Sequence, residues 1–547
     1  MDIDVESDAP SVTVIVIGYD DAAHVADAVR SALAQGPAVR EVIAVDDCSA
    51  DGSGALLDEL AAGERRLTVV HRATNSGGCG TPRNDGIDRA SSPYVMFLDS
   101  DDVLPPGAVD ALLAAAVEHG AQVTAGLCVR RELPSGSEVL WQPELYAKPS
   151  AIDRPVDHPR LVHDTLCVNK LYRTDFLRTH AVRFPDGRFV YEDFVFTARV
   201  LAAGPRMALI PDRVYVWHVR RAAGKLSLSL DRAGIDNWQA RIDAHRTAVE
   251  ILLGSSQKPL GHASRAHFVD HSLRMYAREL DLRGPEYRAA WWTRTRAHLE
   301  SFDPADLEAA PAPGRVLAHL LLASGTPRDL PRVKELAARP ARLLPPYART
   351  PDGTPVWSAD LPQVSLAHLL HRPTDLLPLA VDGELRPGAR GTQLTLRLHE
   401  LYGRVADAGP RTVDVELVDR RGGEVVQRRT AEFADGPGSE KPAEDGTWVA
   451  STPLDLSSPA SRGGTFDLRL RLRFADGTHR DTTAHAVRGP GLLQRVAVPS
   501  RRHGILLVQP YATHSGSLAV RTAPGVRGVA SVVRRRTGRL FGTRGRG

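Results

Sequence analysis

The chain has 547 residues, 42% of them hydrophobic and 25% charged, with a formal net charge of +3. This is the composition of a globular protein of about two or three domains, and its near-neutral charge gives no reason to expect nucleic acid as a partner. Four cysteines without a CxxC pair argue against a disulfide framework or structural zinc and fit a reducing compartment, and no stretch has the pattern of a secretory signal or the length of a membrane span. A cytoplasmic location is expected.

Read in chain order, Val12–Ile17, Glu41–Val45, Leu67–Val70 and Tyr94–Leu98 are short Val- and Ile-rich runs, with helical patterns between them over residues 23–34, 53–62 and 80–90. Val25, Val29 and Leu33 recur every four residues and so share one helix face. Strand–helix–strand alternation predicts an α/β fold with a mostly parallel sheet, whose ligands bind beyond the carboxyl ends of the strands. Those ends carry Gly18-Tyr19-Asp20, Asp46-Asp47 and Asp99-Ser100-Asp101-Asp102.

Five segments bear chemistry. Asp47, in Val45-Asp46-Asp47-Cys48-Ser49-Ala50-Asp51-Gly52-Ser53, can accept the imide N–H of a uracil ring. The same run resembles a calcium loop, but Asp58 stands where the bidentate Glu belongs and a strand precedes it, so that reading is rejected. Asp51 and Ser53 also read as caps of the next helix. The Gly-rich loop Asn75–Asn84 opens a helix and lets backbone N–H groups and Arg83 approach phosphate, although it is neither a Walker loop nor GxGxxG. Asp99 and Asp101 leave an apolar strand at spacing i, i+2, which suits one carboxylate to a ribose and the other to a hard cation, Mg²⁺ or Mn²⁺, that neutralises a pyrophosphate. Glu192 and Asp193 open a helix, where the macrodipole favours ionised carboxylates of lowered pKa and one of them can take a proton from a hydroxyl. Last, Trp217-His218-Val219-Arg220, followed by Lys225 and Ser227, combines a further candidate metal ligand, His218, with phosphate donors.

From 232 to 350 helical patterns (Asn237–Leu253, Ala263–Leu280, Tyr287–Ser301, Arg315–Ala323) predict a helical linker domain. Over 351–525, alternating stretches such as Thr392–Leu398, Thr412–Val418, Thr465–Phe474 and Ser517–Val520 predict an all-β sandwich, followed by a basic tail at 526–547. The tail's arginines (Arg534, Arg535, Arg536, Arg539, Arg544 and Arg546) suit an anionic membrane surface or a solubilising end equally.

Together these segments resemble family 2 glycosyltransferases of the GT-A fold, in whose order they occur over about residues 11–230, so that residues 1–231 are expected to form the catalytic domain. The resemblance implies that Ile17, Tyr19, Asp47, Asn75 and Arg83, with Asp99 and Asp101, hold a nucleotide-diphosphate sugar, UDP-linked by analogy, and that Asp101 is the principal ligand of Mg²⁺ or Mn²⁺. It further implies that Asp193 is the general base of an inverting transfer, with Glu192, Arg220, Lys225 and Ser227 at the pyrophosphate or acceptor edge. Asp20 stands where the family usually has Asn. The Asn169-Lys170-Leu171-Tyr172 and Arg183-Phe184-Pro185 elements and the β-rich C-terminal half are similar to enzymes that glycosylate poly(polyol phosphate) wall teichoic acids. That similarity implies a glycopolymer or lipid-linked acceptor and a C-terminal Ig-like region that serves homo-oligomerisation or polymer binding. The competing readings are a non-catalytic module that binds nucleotide sugar or glycopolymer, and a sugar nucleotidyltransferase. The second is discounted because Gly18-Tyr19-Asp20-Asp21 replaces the Gly-rich, basic loop it needs after the first strand.

Overall fold

The computed structural model describes residues 10–220, 231–388, 391–433, 446–456, 464–487, 492–500, 504–513 and 515–525. These divide into two compact units, Met1–Val269 with Thr293–Ala310, and Asp270–Trp292 with Pro311–Gly547. No helix among the described residues is long and apolar enough to cross a membrane.

The first unit is built on a nine-stranded sheet. In chain order its elements begin β1 (Val12–Gly18), α1 (Val25–Leu33), β2 (Val39–Asp46), α2 (Ser53–Gly63), β3 (Leu67–His71), α3 (Gly80–Arg89), β4 (Tyr94–Asp99), α4 (Ala108–His119) and β5 (Val123–Glu132). They continue with β6 (Ser137–Leu140), β7 (Ser150–Ile152), β8 (Lys170–Arg173), α5 (Thr174–Thr179), α6 (Glu192–Ala202) and β9 (Met207–Val219). The strand order is β3-β2-β1-β4-β8-β5-β9-β7, with β6 paired to β5. β3, β2, β1 and β4 run parallel, β8 is antiparallel to both β4 and β5, and β9 is parallel to β5. The predicted mostly parallel α/β sheet is therefore present.

The inner parallel strands β1 and β4 are nearly continuous apolar runs, buried along almost their whole length as strands covered on both faces are. α1 buries Val25, Ala28, Val29 and Ala32 on one stripe. α3 lies on β1 as closely as a residue without a side chain permits, since a Cβ on Gly86 would stand 2.3 Å from the Ile15 Cγ2 methyl. Phe97 on β4 meets the rings of Tyr172, Phe184 and Phe196, and Phe184 stacks on Phe196 at 3.8 Å. Each such buried ring contributes about 1.5–3 kcal/mol, and together they bind β4, β8 and α6 into one block beneath the strand ends. The register sets Ile17 between Val45 and Asp99, which brings the ends of β1, β2 and β4 to a common edge.

The boundary expected at 231 does not divide the structure. α7 (Ile235–Leu253) packs on α6, α8 (Lys258–Phe268) packs on α7, and Ala248, Leu252 and Leu260 join the core of the first unit. The helix predicted over Ala263–Leu280 is interrupted by a π-helical turn, Val269–Leu273, where the chain passes into the second unit.

In the second unit, the helices Ala312–Ala323 and Leu330–Ala337 precede a two-stranded ribbon, Ala348–Arg349 with Pro355–Val356, and then, among the described residues, two larger β-sheets. One has four strands, including Val381–Gly388, Gly391–His399 and Thr447–Leu454. The other has seven, centred on Pro410–Asp419 and Gly464–Phe474. Leu394, Leu396 and Leu398 alternate inward on the first, and Leu468, Leu470 and Leu472 on the second. This is the β-rich C-terminal region the sequence predicts. The basic tail at 526–547 lies outside the described residues.

Candidate active site

The loops after β1 and β2 are laced together by side chains that accept backbone N–H groups. Ser49 Oγ accepts Asp20 N–H at 2.9 Å, Ser53 Oγ accepts Asp21 N–H at 2.9 Å, Asp51 accepts Ala22 N–H at 2.8 Å, and Asp20 accepts Ala50 N–H at 2.8 Å. Asp51 also accepts Ser53 N–H at 3.0 Å, so it ties the start of α2 to the neighbouring loop, while Gly52 occupies the cap position and Ser53 Oγ serves that loop. Asp20, Cys48 and Tyr191 all have positive φ (50°, 65° and 67°). Such backbone costs about 1–3 kcal/mol per residue and persists only where the surroundings enforce it. All three lie at this edge.

Asp99, Asp101 and Asp102 emerge from β4 into different surroundings. Asp102 is buried, accepting Tyr215 Oη–H at 2.7 Å and His218 N–H at 2.7 Å. Burial, then Asp101 and Asp99, hold its carboxyl well above the usual range. Asp101 sits at the mouth of the site. Its partly desolvated setting, then Asp99 and Asp21, push its carboxyl up to about 6 against the pull of Arg220. Arg220 donates to the Asp101 carbonyl at 2.8 Å, and a ring nitrogen of His218 lies 3.2 Å from the same oxygen. Burial lowers the His218 pKa, so its imidazole is neutral and free of the charge that would exclude a metal. Asp21 closes the edge from β1, accepting Ser100 Oγ–H at 2.7 Å.

Tyr215 is the joint of this arrangement, because its hydroxyl also accepts Asp99 N–H at 3.2 Å. Tyr215→Phe would leave buried polar groups of Asp99 and Asp102 unpaired, so a loss of about 1–3 kcal/mol is expected in urea unfolding. A variant as stable as the parent would show that the joint bears no load.

Arg83 on α3 is 3% exposed and bridges two elements. One guanidinium nitrogen donates to Asp99 at 2.6 Å, another to Glu192 at 2.6 Å, and the group lies 5.2 Å from the Phe184 ring centroid. Asp193 follows Glu192 in the first turn of α6. Burial, then Glu192, push its carboxyl up to about 7, opposed by Arg83 and Arg241. This reverses the lowered pKa expected from the helix dipole, because desolvation and a like charge next door exceed a dipole contribution of about 0.3–1 kcal/mol.

The structure thus brings Asp99, Asp101, Arg83, Glu192, His218 and Arg220 to one edge, with Asp193 beside them. Other predicted residues stand differently. Ile17 is a core residue whose carbonyl accepts Ser100 N–H. Asp47 is already engaged, paired with Arg72 at 2.9 Å and accepting from Ser76 Oγ at 2.7 Å and Asn75 Nδ2 at 3.1 Å. It accepts a uracil imide only if one of these donors yields. Tyr19 is 44% exposed above the edge. The Gly-rich loop is glycine-rich for packing: a Cβ on Gly78 would lie 2.6 Å from the Gly187 carbonyl, and one on Gly80 2.2 Å from that of Pro185. Arg83 correspondingly faces carboxylates and not an open phosphate cradle. Lys225 and Ser227 lie outside the described residues.

Sequence reasoning missed Asp21, Tyr215 and Arg241. Each left a signal: a second acid beside Asp20, a tyrosine in an apolar strand, and an arginine among the buried positions Trp238, Ile242 and His245 of α7.

Residues 13–180 match the model of the family described as Glycosyl transferase family 2, so this part of the chain is a family 2 glycosyltransferase domain. Over 231 residues the chain is 32% identical to the succinoglycan biosynthesis protein ExoO of Rhizobium meliloti, a match covering 41% of this chain and 64% of that protein. It is 29% identical over 187 residues to the poly(ribitol-phosphate) beta-N-acetylglucosaminyltransferase TarS of Staphylococcus aureus, covering 34% of this chain and 31% of that one. The chain therefore spans less than two thirds of either relative. A crystal structure of S. aureus TarS shares the fold, with a TM-score of 0.51 and 16% identity over 94% of this chain and 85% of that one. A structure of TarS 1–349 in complex with UDP-GlcNAc does so at TM-score 0.51 and 21% identity, covering 63% of this chain and 96% of that one.

Proposed function

We propose that the protein is a metal-dependent inverting glycosyltransferase. In this reading it moves a sugar from a nucleotide-diphosphate sugar, a UDP-sugar, to a hydroxyl of a cell-envelope glycopolymer such as a teichoic acid or polysaccharide. The observation that carries the reading is the pairing of two carboxylates with different tasks at one sheet edge. Asp193 has a pKa near neutrality, where a general base is most effective, and Asp101 has an open carboxylate crowded by Asp99 and Asp21. The UDP-GlcNAc complex of the TarS fold and the poly(ribitol-phosphate) relative support the donor and acceptor classes.

The residues present fit a hard divalent cation. Asp101 is raised by desolvation and then by the neighbouring Asp99 and Asp21, and a cation would offset that crowding of negative charge. Among the described residues, three ligand atoms do not converge at this edge, and one or two carboxylates completed by phosphate oxygens is how Mg²⁺ is usually held. Asp101, with Asp99 and His218 beside it, would hold the ion. Bound there, Mg²⁺ or Mn²⁺ supplies charge stabilisation to the diphosphate leaving group. Arg83 and Arg220 keep Asp99 and Asp101 in place. Tyr19 offers an exposed ring to a base, and Asp193 takes the proton of the acceptor hydroxyl on the sugar face opposite the diphosphate.

The test is release of nucleoside diphosphate from a panel of UDP-, GDP- and dTDP-sugars by the full chain, with Mg²⁺, Mn²⁺ or EDTA. Turnover of a UDP-sugar that EDTA abolishes, and that Asp101→Asn lowers about a hundredfold or more, is expected. Turnover indifferent to EDTA would remove the metal from the proposal, and no turnover of any donor would favour a binding module.

A further inference from the structure

α6 and α7 both follow the segment matched by the family model, and α7 packs on α6. Arg241 on α7 is 8% exposed, and its guanidinium carbon lies 4.8 Å from the ring centroid of Tyr191 and 4.9 Å from that of Phe194. These rings flank Glu192 and Asp193 in sequence. The Tyr191 hydroxyl donates to Asn237 Oδ1, also on α7, at 3.0 Å. Tyr191 holds the left-handed conformation that starts α6, which bulky residues avoid unless their surroundings impose it. The two rings adjoin, with centroids 5.4 Å apart, and a guanidinium packed against both is attracted by both and stays charged.

From these contacts we infer that Arg241 is a positioning residue for Asp193: packed against the adjoining rings of Tyr191 and Phe194, it fixes the first turn of α6 and supplies the positive charge that compensates the Asp193 carboxylate. The inference rests on the reading of Asp193 as the base. The groups facing Asp193 are few: Glu192 on its own helix, Arg83 from α3, Arg241 from α7, Cys167 before β8 and Tyr172 on β8. Glu192 raises its proton affinity, while Arg83 and Arg241 lower it. Arg83 is shared between Asp99 and Glu192, and Arg241 is the cation that α7 brings. In this arrangement α7 completes the surroundings of the carboxylate that α6 carries.

The experiment is a mutant cycle on the full chain, read by calorimetry without substrate. Arg241→Gln is made in the parent and in the Asp193→Asn variant. At pH 8 the parent is expected to lose about 2–4 °C more in Tm than the Asp193→Asn variant does. At pH 5, where Asp193 is protonated, the two losses should be equal. Equal losses at pH 8 overturn the inference, whatever the enzyme does. With a donor that turns over, Arg241→Gln should lower kcat/KM about tenfold at pH 7 and move the acid limb to higher pH, while Arg241→Lys restores much of both. An acid limb that does not move overturns it as well. If Asp193→Asn retains full transfer, the assignment of the base fails and the coupling seen by calorimetry is structural only.

Discussion

Asp193→Asn is expected to lower transfer about 10²–10⁴-fold, the range that a positioned general base contributes. The substitution keeps the shape of the first turn of α6 and the Arg83 bridge to Glu192, so donor binding should survive and the loss should fall on kcat. In the parent, kcat/KM should rise as Asp193 gives up its proton near pH 7 and level off above it. Stability should move the opposite way. The folded carboxyl holds its proton at pH values where the unfolded one has lost it, so the unfolded state binds fewer protons between roughly pH 4 and 7. Asp193 therefore costs the protein stability as pH rises through that window. Asp193→Asn should melt higher than the parent at pH 8 and equal to it near pH 4. A variant that is inactive and less stable at pH 8 would point to a structural role for the carboxylate.

Arg83→Met is the second large effect. Its guanidinium is the buried link between β4 and α6, and removing it leaves Asp99 and Glu192 facing each other without a cation. Breaking a buried pair from one side costs about 3–5 kcal/mol. Loss of transfer should accompany this, because α6 carries both Glu192 and Asp193. Arg83→Lys should recover only part, since a single ammonium cannot fork to two carboxylates in different directions. Urea unfolding decides: a Met variant within about 1 kcal/mol of the parent would mean that the link is dispensable.

The sequence announces the first half of the sheet well. Val12–Ile17, Leu67–Val70 and Tyr94–Leu98 each fall one residue short of β1, β3 and β4; the inner strands β1 and β4 are buried along nearly their whole length and so leave long apolar runs. β5, β8 and β9 are less legible. β8 has four residues, and β9 interrupts its apolar run with Pro211, Asp212 and Arg213. The residues of the site were visible as types and spacings, but their alliances were not. Arg83 and Glu192 lie 109 positions apart, and nothing local announces that one side chain answers the other. The helix-dipole argument failed at Asp193 for the same reason, since the desolvation of its carboxyl and the charges of Arg83 and Arg241 that face it arise from tertiary structure.

The contact between Gly86 and Ile15 bears on how such a site can change over generations. Tyr19 is 44% exposed, and on the proposed reading its exchange alone would alter how a donor base is met without disturbing the packing beneath. Gly86 touches no reactant, yet any side chain there would lift α3 from β1 and carry Arg83, one helical turn earlier, away from both its carboxylates. Variation at that position must come with a smaller partner at residue 15, or not at all. The hydrogen atom on Gly86 is in this sense more tightly constrained by packing than the exposed ring of Tyr19.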